Sequence, residues 1–305
     1  MAGGVGGARL VDGLAAVLPR QSLTVIVNTA DDFTHLGMRI SPDLDTVCYT
    51  LARLANPRTG WGRDHETWHM LDELQQLGGP TWFRMGDRDL ATHLERTRRL
   101  AAGERLSAIT ADFCTAWRVR TAVLPMTDQA VSTIVDTKEM GPLTFQAYFV
   151  MHGWRPRITG FRLKGIRSAR PAPGLLSALA GADGVIICPS NPWVSISPIL
   201  AVKGIRAALE GKKIIAVSPI IGGRAVRGPA AKMYRELGIH PSALAVARHY
   251  EGLASHFVLD RVDSPLVASI RKLGMAPVIT QTMMKSSTGR RRLAQVVLHS
   301  IGYKR

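Results

Sequence analysis

Short β-branched runs alternate with amphipathic helical stretches along most of this chain, and few architectures accept that order of elements. The strand candidates are "LTVIV" (23–27), "TAVLP" (121–125), "LTFQAYFV" (143–150), "GVIIC" (184–188), "KIIAV" (213–217) and "HFVLD" (256–260). Leu10, Leu14, Val17 and Leu18 form an apolar stripe at helical spacing ahead of the first run. The expected fold is α/β: a Rossmann-like, mostly parallel sheet with helices on both faces. Residues 61–118 hold no convincing strand and at least three helical patterns, one from His65 to Leu77 that "GG" and Pro80 would stop. They are expected to form a helical insertion leaning over a core made of residues 1–60 and 119–305. A β-rich interval spans about 119–165, and "RSARPAPG" (167–174), basic and Pro-rich, is the linker candidate.

At 305 residues the chain can bury a full core. No apolar run approaches the roughly 18 residues of a membrane helix, and the N-terminus has no secretory signal pattern. Cys48, Cys114 and Cys188 are too scattered for a disulfide framework or a CxxC site. The cytoplasm is therefore the expected compartment. The chain carries 39 Lys plus Arg against 23 Asp plus Glu, a formal charge of +16. Its basic clusters lack interleaved aromatics, and no zinc-finger or RNP pattern is present, so neither nucleic acid nor a membrane is an expected partner.

Against that basic background, "VNTADDFTHLGMRISPDLDT" (27–46) gathers Asp31, Asp32, Asp43 and Asp45 just past a strand. Capping and Asx-turns account for one or two of them, hardly for four. Paired carboxylates at a strand edge suit a magnesium-type cation and the acceptance of a nucleophile's proton. Three further segments fit an anionic partner. "MAGGVGGARL" places Gly3, Gly4, Gly6 and Gly7 at the start of a helix, where amides can approach a phosphate or merely form a tight turn. Only Met1 and Ala2 precede it, where a strand is the usual neighbour. "CPSNPWVSISPILAV" offers Ser190 and Asn191 at the carboxyl edge of a strand, to hold a nucleotide or only to shape a turn. "SPIIGGRAVRGPAAKM" supplies Ser218, Gly222 and Gly223 with the cations Arg224, Arg227 and Lys232, without Walker spacing. In "WFRMGDRDLATHLERT", Asp87 and Asp89 read as caps, and His69 and His93 as lone histidines without a metal role. The residues alone suggest an enzyme that handles a phosphoryl or nucleotidyl group.

These segments, with "LPMTDQAVSTIV" and "FQAYFV", occur together and in an order that resembles the 2-phospho-L-lactate transferase (CofD/FbiA-like) family of coenzyme F-420 biosynthesis. The resemblance covers nearly the whole chain. It implies a Mg2+-dependent transferase for substituted phosphate groups, and a homodimer. The acceptor would be the deazariboflavin Fo (7,8-didemethyl-8-hydroxy-5-deazariboflavin). The donor would be a guanosine diphosphate ester of a three-carbon acid: 2-phospho-L-lactate, or its phosphoenolpyruvate or 3-phosphoglycerate equivalent. The ribityl hydroxyl would displace GMP and leave (dehydro)coenzyme F-420-0. Carried over by motif, Asp45 and Arg84, with Asp43 and Arg88, would contact the acceptor. Asp45, Asp31 and Asp32 become catalytic candidates, and Asp31, Asp32 and Asp43 metal candidates. The insertion 61–118 would contribute to the acceptor site. Gly3, Gly4, Gly6, Gly7, Ser190, Asn191, Ser218, Gly222, Gly223 and Lys232 would surround the guanine nucleotide. Asp45, expected on a partly exposed wall, should matter more for turnover than for stability. The competing reading is a non-catalytic nucleotide-sugar-binding regulator of the gluconeogenesis-factor group. Keeping both the "SPDLD" and "GDRD" segments argues against it.

Overall fold

The computed structural model describes residues 1–226 and 228–303. In chain order it runs through α1 (Gly4–Val17), β1 (Thr24–Val27), β2 (Phe33–His35), β3 (Met38–Ile40), α2 (Pro42–Leu51), α3 (His69–Gln76), α4 (Asp87–Ala101) and α5 (Leu106–Ala116). Then come β4 (Ala122–Pro125), β5 (Ser132–Thr137), β6 (Gly141–Thr144), a π-helix at Ala147–Met151, β7 (Ile158–Lys164), α6 (Leu175–Ala180) and β8 (Gly184–Ile187). A second π-helix at Pro192–Ile196 leads into α7 (Ser197–Ala201), α8 (Ile205–Ala208), β9 (Lys213–Val217) and the two-residue strands β10 (Ile220–Ile221) and β11 (Arg224–Ala225). The chain closes with α9 (Ala230–Glu236), α10 (Ala243–His249), β12 (His256–Asp260), α11 (Val267–Lys272), β13 (Ala276–Thr280) and α12 (Ser287–Ser300).

The central strands are parallel, in the order β13-β12-β9-β8 and, separately, β1-β4. Met1 and Ala2 join the two groups. The terminal amine donates to Ile186 O and the Cys188 amide to Met1 O, while Ala2 N donates to Ile26 O and Asn28 N to Ala2 O. Two residues thus do what the sequence reading sought in a first strand. Side chains alternate across this sheet with period two. Val25, Val27, Ile215, Val217 and Val258 face a core shared with α1, α2, α5 and α12. Ile26, Ile187, Ile214, Ala216, Phe257 and Leu259 face the other core, built with α6 to α11. Helices therefore cover both faces, as expected.

Three expectations change. "LTFQAYFV" is not one strand: β6 ends at Thr144 and a π-helix takes over at Ala147. The linker candidate 167–174 is held in place, with Ala169 and Ala172 buried, Ala172 N bonded to Met126 O and Arg170 N bonded to Gln129 Oε1. The stretch 61–118 is helical but not a uniform insertion. α3 is shorter than expected and buries no residue, α4 covers β3, and α5 places Leu106 and Cys114 in the same core as Cys48 and Val123. Among the described residues, no helix is long and apolar enough to cross a membrane.

Candidate active site

A crevice of about 670 Å³ opens along the carboxyl edge of the sheet. Ligands of open α/β sheets gather at such an edge. One wall is built by α1 and by the loops after β8 and β9. The sequence permits this only because its glycines leave room. A Cβ on Gly6 would stand 2.5 Å from Pro189 O, and one on Gly7 would meet Ser190 Oγ at 2.6 Å. Gly4 itself turns into the helix at φ +61°. Ser190 Oγ accepts from Gly3 N at 3.0 Å and donates to Gly3 O at 2.8 Å, welding the two loops. Val5 and Gly6, in a first turn whose amides lack intrahelical partners, line the crevice.

Asp43 and Asp31 stand where this wall meets α2. Asp43 Oδ1 accepts from Gly4 N at 2.7 Å and its Oδ2 from Asn28 Nδ2 at 3.0 Å. Burial pushes the Asp43 carboxyl up to about 6, against the lowering effect of those bonds. Burial, and then the neighbouring charges of Asp43 and Asp32, raise Asp31 well above the usual carboxylate range. Asp31 Oδ1 is buried with no hydrogen-bond partner. Two crowded carboxyls, one with an idle oxygen, fit a divalent cation that completes its shell with phosphate oxygens and water. Among the described residues, no three His, Cys, Asp or Glu side chains converge as a ready-made metal cage.

The opposite end is aromatic and charged. Trp82 and Phe83 line it, packed edge-on or tilted against Phe33 and His35 from the β2–β3 hairpin at centroid distances of 5.0 to 5.9 Å. Phe145 and Phe149, read as strand residues, lie parallel to each other at 5.5 Å on the π-helix side. Asp45 faces this end but is not partly exposed: it is 6% exposed and held by both terminal nitrogens of buried Arg96. Asp89, read only as a cap, also lines the crevice and accepts from Tyr49 Oη at 2.6 Å. The capping roles belong elsewhere. Glu66 accepts the Arg88 and Asp89 amides at the start of α4, and Asp87 accepts those of His69 and Met70 at the start of α3.

The crevice thus brings together Gly3, Gly4, Gly6, Asp31, Asp43, Asp45, Arg84, Ser190, Asn191 and Ser218. Several of these side chains are spent on local structure. Asn191 Oδ1 caps Trp193 N, and Ser218 Oγ bridges the amide and carbonyl of Ile220. Arg84 lies 4.5 Å over the Trp68 ring. Other candidates fall outside the crevice lining. Gly7 packs under Ser190 and Ala2. Asp32 turns to a separate cavity of about 200 Å³ and binds Ser41 Oγ at 2.7 Å. Arg88 is exposed. The Gly222 amide is tied to Asp263, Gly223 sits in the same turn, and Lys232 pairs with Glu236 and Pro156 O. Arg227 lies outside the described residues. Sequence reading missed Arg9, the Thr282–Met284 segment and the Asp89–His93 pair among the lining. The i, i+4 spacing of Asp89 and His93 was a visible signal of a shared helix face.

A glycine-rich helix start and two crowded carboxyls share one edge of an α/β sheet, an arrangement that suits a transferase of phosphorylated small molecules. Residues 1–296 match the family described as 2-phospho-L-lactate transferase CofD, and the chain belongs to that family. Its members serve coenzyme F-420 biosynthesis. The chain is 45% identical to a phosphoenolpyruvate transferase of Thermobifida fusca, over 88% of each chain. It is 41% identical to one of Streptomyces coelicolor, over 98% of this chain and 96% of that one. A 2-phospho-L-lactate transferase of Methanosarcina mazei is 36% identical over 98% of both. A crystal structure of a UPF0052-family protein from Bacillus halodurans superposes with a TM-score of 0.62 at 16% identity, over 97% of this chain and 96% of that one, which shows a shared fold alone.

Proposed function

We propose that this chain transfers a phosphoenolpyruvyl group from its guanosine diphosphate ester to the ribityl hydroxyl of the deazaflavin Fo, releasing GMP and forming dehydrocoenzyme F-420-0. The reading rests on one observation: glycine helix, carboxyl pair and aromatic wall share a single crevice. The choice of the enolpyruvyl group follows the relatives named for phosphoenolpyruvate, which at 41% and 45% identity stand nearer than the one named for 2-phospho-L-lactate at 36%.

In this reading the diphosphate lies at the start of α1, where the Val5 and Gly6 amides and the helix dipole favour negative charge. Trp82 and Phe83 offer faces to the deazaflavin ring. Asp45 and Asp89 accept hydrogen bonds from the ribityl hydroxyls and aim the terminal one at phosphorus. A new O–P bond forms to that hydroxyl, and the P–O bond to GMP breaks. The proton passes along its hydrogen bond to Asp45 and on to solvent. Phosphoryl transfer through a loose transition state depends mainly on positioning and charge, so the engagement of Asp45 by Arg96 is no obstacle. Mg2+ would be held by Asp31 and Asp43 and, when bound, neutralises charge on the phosphoryl oxygens. Asp32, facing the other cavity, has no part in this scheme.

The test is incubation of purified protein with Fo, Mg2+ and the three guanosine donors in competition, with product masses read directly. The enolpyruvyl product should dominate. No GMP from any donor would end the proposal.

A further inference from the structure

We propose that His93 is the positioning residue of the acceptor end, linking Arg96 to Asp89 so that Asp45 and Asp89 stand as two fixed acceptors for a polyhydroxylated chain. This rests on the acceptor occupying the Trp82 side of the crevice.

His93 is 2% exposed, on α4, one turn from Asp89 and less than one from Arg96. Its Nδ1 lies 3.3 Å from Arg96 Nη1 and 3.7 Å from Asp45 Oδ2, and its Nε2 lies 3.4 Å from Asp89 Oδ2. A guanidinium only donates, so the Nδ1 that meets Arg96 is an acceptor in the neutral ring. The ring proton is then on Nε2, the nitrogen next to Asp89, which is buried and has no other polar neighbour among the described residues to satisfy it. Arg96 is hydrogen-bonded to His93, and His93 Nε2 in turn approaches Asp89 Oδ2 to 3.4 Å without hydrogen-bond alignment, while the Tyr49 hydroxyl holds the other Asp89 oxygen. Arg96 simultaneously grips Asp45 and reaches Arg39 O. One buried guanidinium thereby orients two carboxylates, one directly and one through the imidazole.

Asp45, Asp89, Tyr49 and His93 all line the crevice. A carboxylate has about four lone-pair directions, and the donors behind the wall use only part of them. The directions left over suit successive hydroxyls of a sugar alcohol. Burial pushes the Asp89 carboxyl up, but the adjoining His93 ring, the Tyr49 hydroxyl and the Arg96 charge outweigh it, and the net shift is downward. Asp89 therefore remains a pure acceptor at neutral pH.

Three variants test this. His93→Leu removes both ring functions, His93→Asn is too short to reach Asp89, and His93→Gln retains one acceptor and one donor at imidazole reach. The KM for Fo should rise about tenfold in the first two and stay within about threefold in the third, as expected for hydrogen bonds to charged groups. The donor KM and GMP binding should be unchanged in all three. An unaltered Fo KM in folded His93→Leu, or donor and acceptor KM rising together, overturns the proposal. If His93→Leu does not fold, equal Fo KM in His93→Asn and His93→Gln overturns it instead. Nitrogen-15 NMR of labelled histidine reads the tautomer without turnover: protonation on Nδ1 alone contradicts the assignment. A wild-type chain that takes up no Fo removes the functional reading, while the tautomer measurement still judges the bond order.

Discussion

Asp43 Oδ1 accepts the Gly4 amide at 2.7 Å, and through this bond the first turns of α1 and α2 share one wall of the crevice. The contact resolves the contrast between a basic chain and its acidic segment. The carboxylates do not face the solvent, where the surplus positive charge attracts anions. They are buried, and Asp43 sits against a helix start that itself favours negative charge.

The glycine contacts predict a steric effect confined to that wall. In Gly6→Ala the new methyl meets Pro189 O at 2.5 Å, a backbone atom that cannot swing away. Stability should fall by about 1–3 kcal/mol, the usual range for overpacking. GMP affinity, read by calorimetry, should fall with it while Fo affinity holds.

The buried carboxyls predict a pH dependence of the metal-free protein. Their folded values lie above the ordinary 3.8, at about 6 for Asp43 and about 8 for Asp32, so the folded state binds these protons more tightly than the unfolded chain. This contribution is fully present below 3.8 and is lost as pH rises through 6 and then 8. The Tm should decline across that window. Asp32→Asn should flatten the upper part and leave the Tm at high pH above that of wild type. Added Mg2+ should restore more Tm at high pH than at low, because a cation binds only ionised carboxylates.

Removing Arg96 strands a charge. Arg96→Met leaves Asp45 buried without its cation, which should cost about 3–5 kcal/mol in urea unfolding. Asp45→Asn should then lower stability as well as turnover, in contrast to the expectation for a partly exposed cleft residue.

The aromatic wall predicts a selective loss. Trp82→Ala should weaken Fo binding about threefold to tenfold, the worth of one ring contact, with GMP binding unchanged. Fluorescence titration of the deazaflavin measures both arms.

Much of the framework was legible because the central strands leave little choice. "KIIAV" and "HFVLD" coincide with β9 and β12, whose residues after the first are all buried. The β2–β3 hairpin was not legible. Its strands have three residues each, and Leu36 and Gly37 take φ of +50° and +77° in a two-residue turn without the usual Asn or Asp signal. The aromatics of "FQAYFV" have high strand propensity, but the fold uses Tyr148 and Phe149 in a π-helix. At the site, the grouping of Asp31 with Asp43 and the glycine loop was readable from chain order and resemblance. The separation of Asp32 was not, since adjacent residues reach different cavities only through backbone direction. Arg96 closes on Asp45 across 51 positions, a pairing that no local pattern encodes.

Helix geometry carries a last implication for α2. Asp43 and Asp45 are two residues apart, hence roughly 200° apart around its axis. That angular phase sends one carboxylate to the glycine helix and its near neighbour to Arg96. A single residue inserted between them would swing Asp45 by roughly 100° and break its grip on α4 while Asp43 still accepted the Gly4 amide. This short piece of helix should therefore tolerate exchanges of side chain far better than any change of length.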